Sequence, residues 1–150
     1  MKRLQKILVA TALLFATSAF ATAGGPEKVA PLVKAAFEKN FNGAVNVNWE
    51  KAEGYYFAFF RLNEKEVTVA YNENGELLGT SQVIATAQLP LNVSLSLADK
   101  YADYTLAKTV TELTYQGQTS YYVFAENNKQ ILKLKCSTSG DISVENKTKK

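Results

Sequence analysis

The stretch YNENGEL at 71–77 is matched 65 positions later by CSTSGDI at 136–142. Each is a polar turn closed by Gly and an acidic residue, entered from one apolar strand and leading into another. The same offset lays YFAFF (56–60) over YYVFA (121–125), so that Tyr56 meets Tyr121 and Phe59 meets Phe124. A chain that repeats its spacing of strands and turns is read as one unit used twice, and this narrows the fold more than any single motif does.

A helical stretch precedes each set of strands. In residues 26–43, Val29, Leu32, Val33, Ala36, Phe37 and Phe41 keep the spacing of one buried helical stripe. Pro31 is tolerated only in a first turn, so the regular helix starts near Ala30, and Asn42-Gly43 stops it. In LPLNVSLSLADKYADY, Val93, Leu97, Tyr101 and Tyr104 form a second stripe, with Asn92 as its cap. Period-two runs follow the first helix: Val45, Val47 and Trp49; YYFAFFRL (55–62); EVTVAY; and ELLGTSQVI, where Gly79 marks a bulge or bend. After the second helix come Leu106–Leu113, SYYVFA, QILKLKC and DISVE. The fold class expected is α+β: two tandem α-β-β-β-β units, about 26–86 and 89–146, forming a continuous antiparallel sheet with helices on one face.

Residues 1–23 stand apart. Lys2, Arg3 and Lys6 precede an apolar run from Ile7 to Phe15, and both Ala19-Phe20-Ala21 and Ala21-Thr22-Ala23 offer small-x-small cleavage sites. This reads as a signal peptide, leaving 24–150 as a single exported domain that starts at Thr22 or Gly24. The run is too short and too diluted by Thr11, Thr17 and Ser18 for a spanning helix of about 20 apolar residues, so no stable membrane insertion is expected. The leader also removes three of the 17 basic residues, leaving 14 against 14 acidic ones. A neutral mature chain gives no electrostatic case for nucleic acid. The lysine-rich end ENKTKK reads as a solvated tail.

Trp49, the pattern Tyr56-x-Ala58-x-Phe60 and the run EVTVAYNENGEL, in a short exported chain with two such units, resemble the PepSY-like proteins of Bacteroidetes. That family is similar in fold to the β-lactamase inhibitor protein, and the resemblance covers nearly all of residues 26–145. It implies a saddle-shaped sheet and a periplasmic or secreted binding or inhibitory module. It implies no catalytic residue.

YYFAFFRL is apolar on both faces, and register decides which rings are turned away from the helices. Val67, Val69 and Tyr71 alternate with Thr68 and Ala70 and so face the helix. With an even loop after Leu62, the residues Tyr56, Ala58, Phe60 and Leu62 join that face, and Arg61 is spared burial without a partner. Tyr55, Phe57, Phe59 and Arg61 then lie on the outer face. The family pattern commonly carries polar residues where this chain has Phe57 and Phe59. In the second unit Tyr121, Val123 and Ala125 point inward. Tyr122 and Phe124 point outward, joined by Lys133 and Lys135, which alternate with Leu132, Leu134 and Cys136. An exposed aromatic patch with a polar rim suits protein binding, because rings bury much area at small entropic cost. Trp49, on the face of Val45 and Val47, is expected in the core.

Catalytic chemistry is hard to find. The chain has no histidine and one cysteine, which removes Ser-His-Asp, Cys-His, Cys-x-x-Cys and most zinc arrangements. Cys136 reads as a small buried hydrophobe. NENGE at 72–76 lacks the ligands of a calcium loop and reads as a turn. Asp99, Asp103, Glu38 and Glu53 read as solvated, with nothing apolar to raise a pKa. The expectation is an exported, non-catalytic module without cofactor or metal. It binds a protein or peptidase, possibly as an inhibitor, through Tyr55, Phe57, Phe59, Arg61, Tyr122, Phe124, Lys133 and Lys135, with self-association left open. The alternatives are a carrier of a small apolar ligand, for which a deep cleft between helix and sheet would speak, and, more weakly, a carboxylate hydrolase.

Overall fold

A computed structural model describes residues 28–150; the leader expected over residues 1–23 lies outside them. The described residues are α+β, with two α-helices and nine strands. They divide into two compact units, one running to Gln82 and the other Val83–Lys150, the division falling within a strand.

In the first unit α1 (Pro31–Asn40) is followed by β1 (Val45–Ala52), β2 (Tyr55–Leu62), β3 (Lys65–Tyr71) and β4 (Leu77–Ala85), antiparallel in chain order. Pro31 occupies the first turn, where its missing N–H costs nothing, and Gly43 beyond the C-terminus takes φ +93°. Val33 and Phe37 of α1 pack on Tyr56, Ala58, Phe60, Val69 and Tyr71. Leu32, expected in this stripe, is instead exposed, one position off the inward arc.

Two-residue turns set the register. Glu53-Gly54 joins β1 to β2 and Asn63-Glu64 joins β2 to β3, with positive φ at every position. Such turns match the right-handed twist of a hairpin. The even loop after Leu62 pairs Leu62 with Lys65, Phe60 with Val67, Ala58 with Val69 and Tyr56 with Tyr71. The inward set of β2 is therefore the one expected.

Two bulges depart from strict alternation. The expected one at Gly79 shifts the register between β3 and β4. A second, unexpected, lies in β1 at Asn46 (φ +56°), so that Val45 pairs with Arg61 while Asn48 pairs with Phe59. The extra residue turns Val45 away from the face of Val47 and Trp49, and it is 55 % exposed.

In the second unit a 3₁₀ turn (Thr86–Gln88) leads into α2 (Leu91–Lys100), then β5 (Thr105–Leu106), β6 (Thr109–Tyr115), β7 (Gln118–Glu126), β8 (Gln130–Ser137) and β9 (Ile142–Lys149). Val93 and Leu97 pack with Leu89, Val110, Tyr121, Val123, Ala125, Leu132, Leu134 and Cys136, while Tyr101 and Tyr104 flank this core. Asn92 is no cap: Pro90 holds that position and no side chain caps the helix. The single strand expected over 106–113 is broken into β5 and β6, both antiparallel to β7. At the break the Thr86 N–H donates to the Lys108 carbonyl at 2.9 Å.

The two polar turns are held alike. The Asn72 N–H donates to the Glu76 carbonyl (3.1 Å) and the Gly75 N–H to the Asn72 carbonyl (3.1 Å). The Ser137 N–H donates to Asp141 (2.9 Å) and the Gly140 N–H to Ser137 (3.1 Å) in the same way. Each glycine has positive φ and lies against the first turn of its helix. A Cβ on Gly75 would stand 2.8 Å from the Leu32 carbonyl oxygen, and one on Gly140 2.8 Å from that of Asn92.

Candidate functional site

Four buried hydrophobic residues belong to neither helix-side core: Phe57, Ala70, Leu113 and Tyr122. Register places all four on the sheet faces turned away from the helices. The outer faces therefore hold buried apolar groups of their own, among them Phe57 and Tyr122, which were expected in an exposed aromatic patch.

In the first unit Tyr55, Phe57, Phe59 and Arg61 share the outer face of β2, opposite Ala52, Glu50, Asn48 and Val45 on β1. Phe57 is only 2 % exposed, Tyr55 and Phe59 are half-buried, and Arg61 is exposed. The neighbouring outer positions explain the difference. Thr68 and Ala70 on β3, with Ser81 and Gly79 opposite them on β4, are small and buried. Phe57 is thus flanked on β3 and β4 by small buried residues, with no exposed polar side chain standing beside it there. The signal was present in the sequence as T-x-A in β3 and G-x-S in β4, but it concerns two strands jointly. Arg61 reaches the Glu64 carbonyl oxygen at 3.4 Å across the turn.

In the second unit Tyr122, Phe124, Lys133 and Lys135 share one outer face of β7 and β8, Tyr122 paired with Lys135 and Phe124 with Lys133. Tyr122 is 6 % exposed. The Lys133 and Lys135 ammonium groups sit 5.5 and 5.9 Å from its ring centroid, within cation–π range. Burial holds the Tyr122 phenol above its ordinary pKa, and Lys135 partly offsets this. Phe124 is 51 % exposed. A large apolar ring beside two ammonium groups is thus presented to solvent, above a buried and charge-capped tyrosine.

Trp49 is half-buried on the helix side, edge-on to Phe37 at 5.1 Å and tilted to Tyr71 at 6.5 Å. It lines a cleft of about 380 Å³ between α1 and β1, with Lys34, Phe37, Glu38, Phe41, Val47 and the backbone around Gly43. A cleft between helix and sheet is the feature that speaks for a small-ligand carrier, though nothing in the sequence locates it at α1 and β1.

Cys136 is fully buried in the second core, and burial alone pushes its thiol up to about 11. The amide oxygen of Asn72 accepts from the Asn74 and Glu76 N–H groups, each at 3.0 Å, so in NENGE it is committed to its own turn. Among the described residues no buried side-chain nitrogen or oxygen lacks a hydrogen-bond partner, and no helix is long and apolar enough to cross a membrane.

No protein-family model and no curated protein matches the chain. Solved structures do. A proposed periplasmic protein from Bacteroides eggerthii aligns with a TM-score of 0.69 at 17 % identity, over 81 % of this chain and 89 % of its own. A BLIP-like protein from Bacteroides fragilis aligns with a TM-score of 0.66 at 20 % identity, over 85 % and 89 %. The chain has a BLIP-like fold. A DUF2874 family protein from Bacteroides ovatus supports the same BLIP-like assignment, with a TM-score of 0.68 at 20 % identity over 85 % and 89 %. At these identities the likeness concerns the fold alone.

Proposed function

We propose that this protein is an exported, non-catalytic binding module that engages a protein or peptidase partner through the outer face of its strands. The observation that carries the reading is Phe124, a strand-borne ring 51 % exposed, paired with Lys133 and next on its face to Tyr122, which both Lys133 and Lys135 approach. An isolated exposed ring is unremarkable on a loop. On a regular strand above a buried second apolar layer it has the composition of an interface centre with a charged rim. In the first unit the corresponding contacts are Phe59, Tyr55 and Arg61, which share the outer face of β2 with the buried Phe57. The BLIP-like fold and the proposed periplasmic neighbour support an exported binding role, of which inhibition is one form. The matched turn hydrogen bonds at Asn72–Glu76 and Ser137–Asp141 support an origin of the two units by internal duplication, as in PepSY-like proteins.

The test is capture of partners from a periplasmic extract by the mature chain, compared with Phe124→Ser and with Lys133→Glu/Lys135→Glu. Retained melting temperature with lost capture is the expected result. Capture unchanged in both variants refutes this face as the contact surface. Loss of a self-association seen in the parent would identify the partner as a second copy.

A further inference from the structure

Among the described residues β1 pairs with β2 alone, so the far edge of β1 carries backbone N–H and C=O groups with no strand beside them. Such an edge is a template for another strand, and proteins usually blunt it with charge, proline or a bulge. The contrast with β9, which pairs with β8 alone, is informative. β9 carries Lys147 and Lys149 along its exposed C-terminal half, whereas β1 confines its charges, Glu50 and Lys51, to its C-terminal end and leaves VNVNW at 45–49 interrupted only by the Asn46 bulge. The edge of β1 is therefore left comparatively open.

The 380 Å³ cleft lies along this same element. Val47 and Trp49 come from β1, Phe37 and Phe41 from α1, and the volume is at the lower end of ligand-binding pockets, about 300–1,000 Å³. An open strand edge running beside a helix, with an aromatic cleft between the two, supplies both halves of strand-addition recognition. Main-chain hydrogen bonds give affinity and a pocket takes alternate side chains. The cleft is also lined by Lys34 and Glu38, four residues apart on α1 and hence on one helical face. They make no ion pair with each other, so one charge of each sign is offered to whatever enters. Their separation along the helix axis, about 6 Å, is close to the roughly 7 Å between same-face residues of a strand.

We infer that the open edge of β1 and the adjoining α1–β1 cleft bind an extended peptide segment, which adds as a strand and lays an aromatic or large aliphatic side chain in the cleft against Phe41, Val47 and Trp49. Acidic and basic neighbours of that side chain meet Lys34 and Glu38. This site is separate from the outer strand face and does not depend on the reading given for that face.

The chain's single tryptophan lines the cleft, so its fluorescence reports occupancy directly. The full chain is titrated with a threonine-rich synthetic peptide carrying a phenylalanine, with aspartate two residues and lysine four residues to one side of it, so that the two charges stand roughly 7 Å apart. A saturable change in Trp49 emission is expected. It should weaken at least about tenfold when the phenylalanine becomes alanine and vanish when alternate backbone amides are N-methylated. Lys34→Glu, at an exposed position, should weaken binding several-fold without changing the melting temperature. No saturable change overturns the inference. An equal response to the N-methylated peptide or to phenylalanine amide also overturns it, leaving a small-molecule cleft. Emission that depends on protein concentration alone overturns it in favour of a second copy at the edge.

Discussion

Phe57→Ala and Phe124→Ala form a matched pair, since both replace a phenylalanine on the outer face of a regular strand. Any loss of β-propensity, up to about 1 kcal/mol, is common to the two and cancels in their difference. What remains is burial. Phe57 is 2 % exposed, Phe124 51 %. A buried phenylalanine removes at least about 150 Å² from water, worth roughly 3–4 kcal/mol at about 25 cal/mol per Å². Direct truncations of buried aromatics cost a similar 3–5 kcal/mol. The small side chains of Thr68, Ala70 and Ser81 are poorly able to collapse into the space left. Phe124 keeps about half of that burial, so Phe57→Ala is expected to cost about 2 kcal/mol more than Phe124→Ala. For a domain of this size that is a difference in melting temperature of roughly 7 °C. Thermal and urea unfolding followed by far-UV circular dichroism gives both values, with an unchanged urea slope required for the comparison to hold. If the two variants lie within about 1 kcal/mol of each other, Phe57 is not packed in solution and the outer apolar layer does not exist.

Gly75→Ala and Gly140→Ala should each cost more than about 2 kcal/mol, since positive φ is compounded by a Cβ pressed on a helix carbonyl; Gly117→Ala, with positive φ but open space, should cost about 1 kcal/mol. Urea midpoints of the three variants decide this, and equal losses would mean the turns do not dock on the helices. Trp49→Ala should cost about 2–3 kcal/mol, less than a fully buried tryptophan, because one side of the ring faces the cleft. The buried Cys136 thiol has its pKa raised from 9.0 to about 11. Its contribution is complete below pH 9 and is lost as pH rises towards 11, because the unfolded chain releases that proton first, at about 1.4 kcal/mol per pH unit across the window. Cys136→Ala should flatten the parent's alkaline decline by that amount, and parallel curves would show that the thiol is not buried. Alkylation of Cys136 in the native protein at pH 8 should be slow until urea is added.

Much of this fold could be read along the chain because its signals are local. The inward stripe Tyr56, Ala58, Phe60 follows from two-residue periodicity and the parity of one loop. The Gly75 and Gly140 turns follow from their Asn/Ser and Gly chemistry. The buried state of Cys136 follows from alternation with Leu132 and Leu134. What failed depended on neighbours distant in sequence. Phe57 and Phe59 are equivalent along β2, yet only Phe57, beside the small Ala70 and Gly79 of two other strands, is buried. Tyr122 and Phe124 differ for another reason, the Lys133 and Lys135 ammonium groups both approaching the Tyr122 ring. Val45 was displaced by a single bulge at Asn46, and the α1–β1 cleft exists only because a helix end and an edge strand part company. Within an unbroken strand the sequence determines by itself which side chains share a face, since that is set by backbone geometry repeating every two residues. Whether that face is dry or wet is decided by the volumes of side chains brought alongside through hydrogen-bonded register, and only the tertiary structure supplies those.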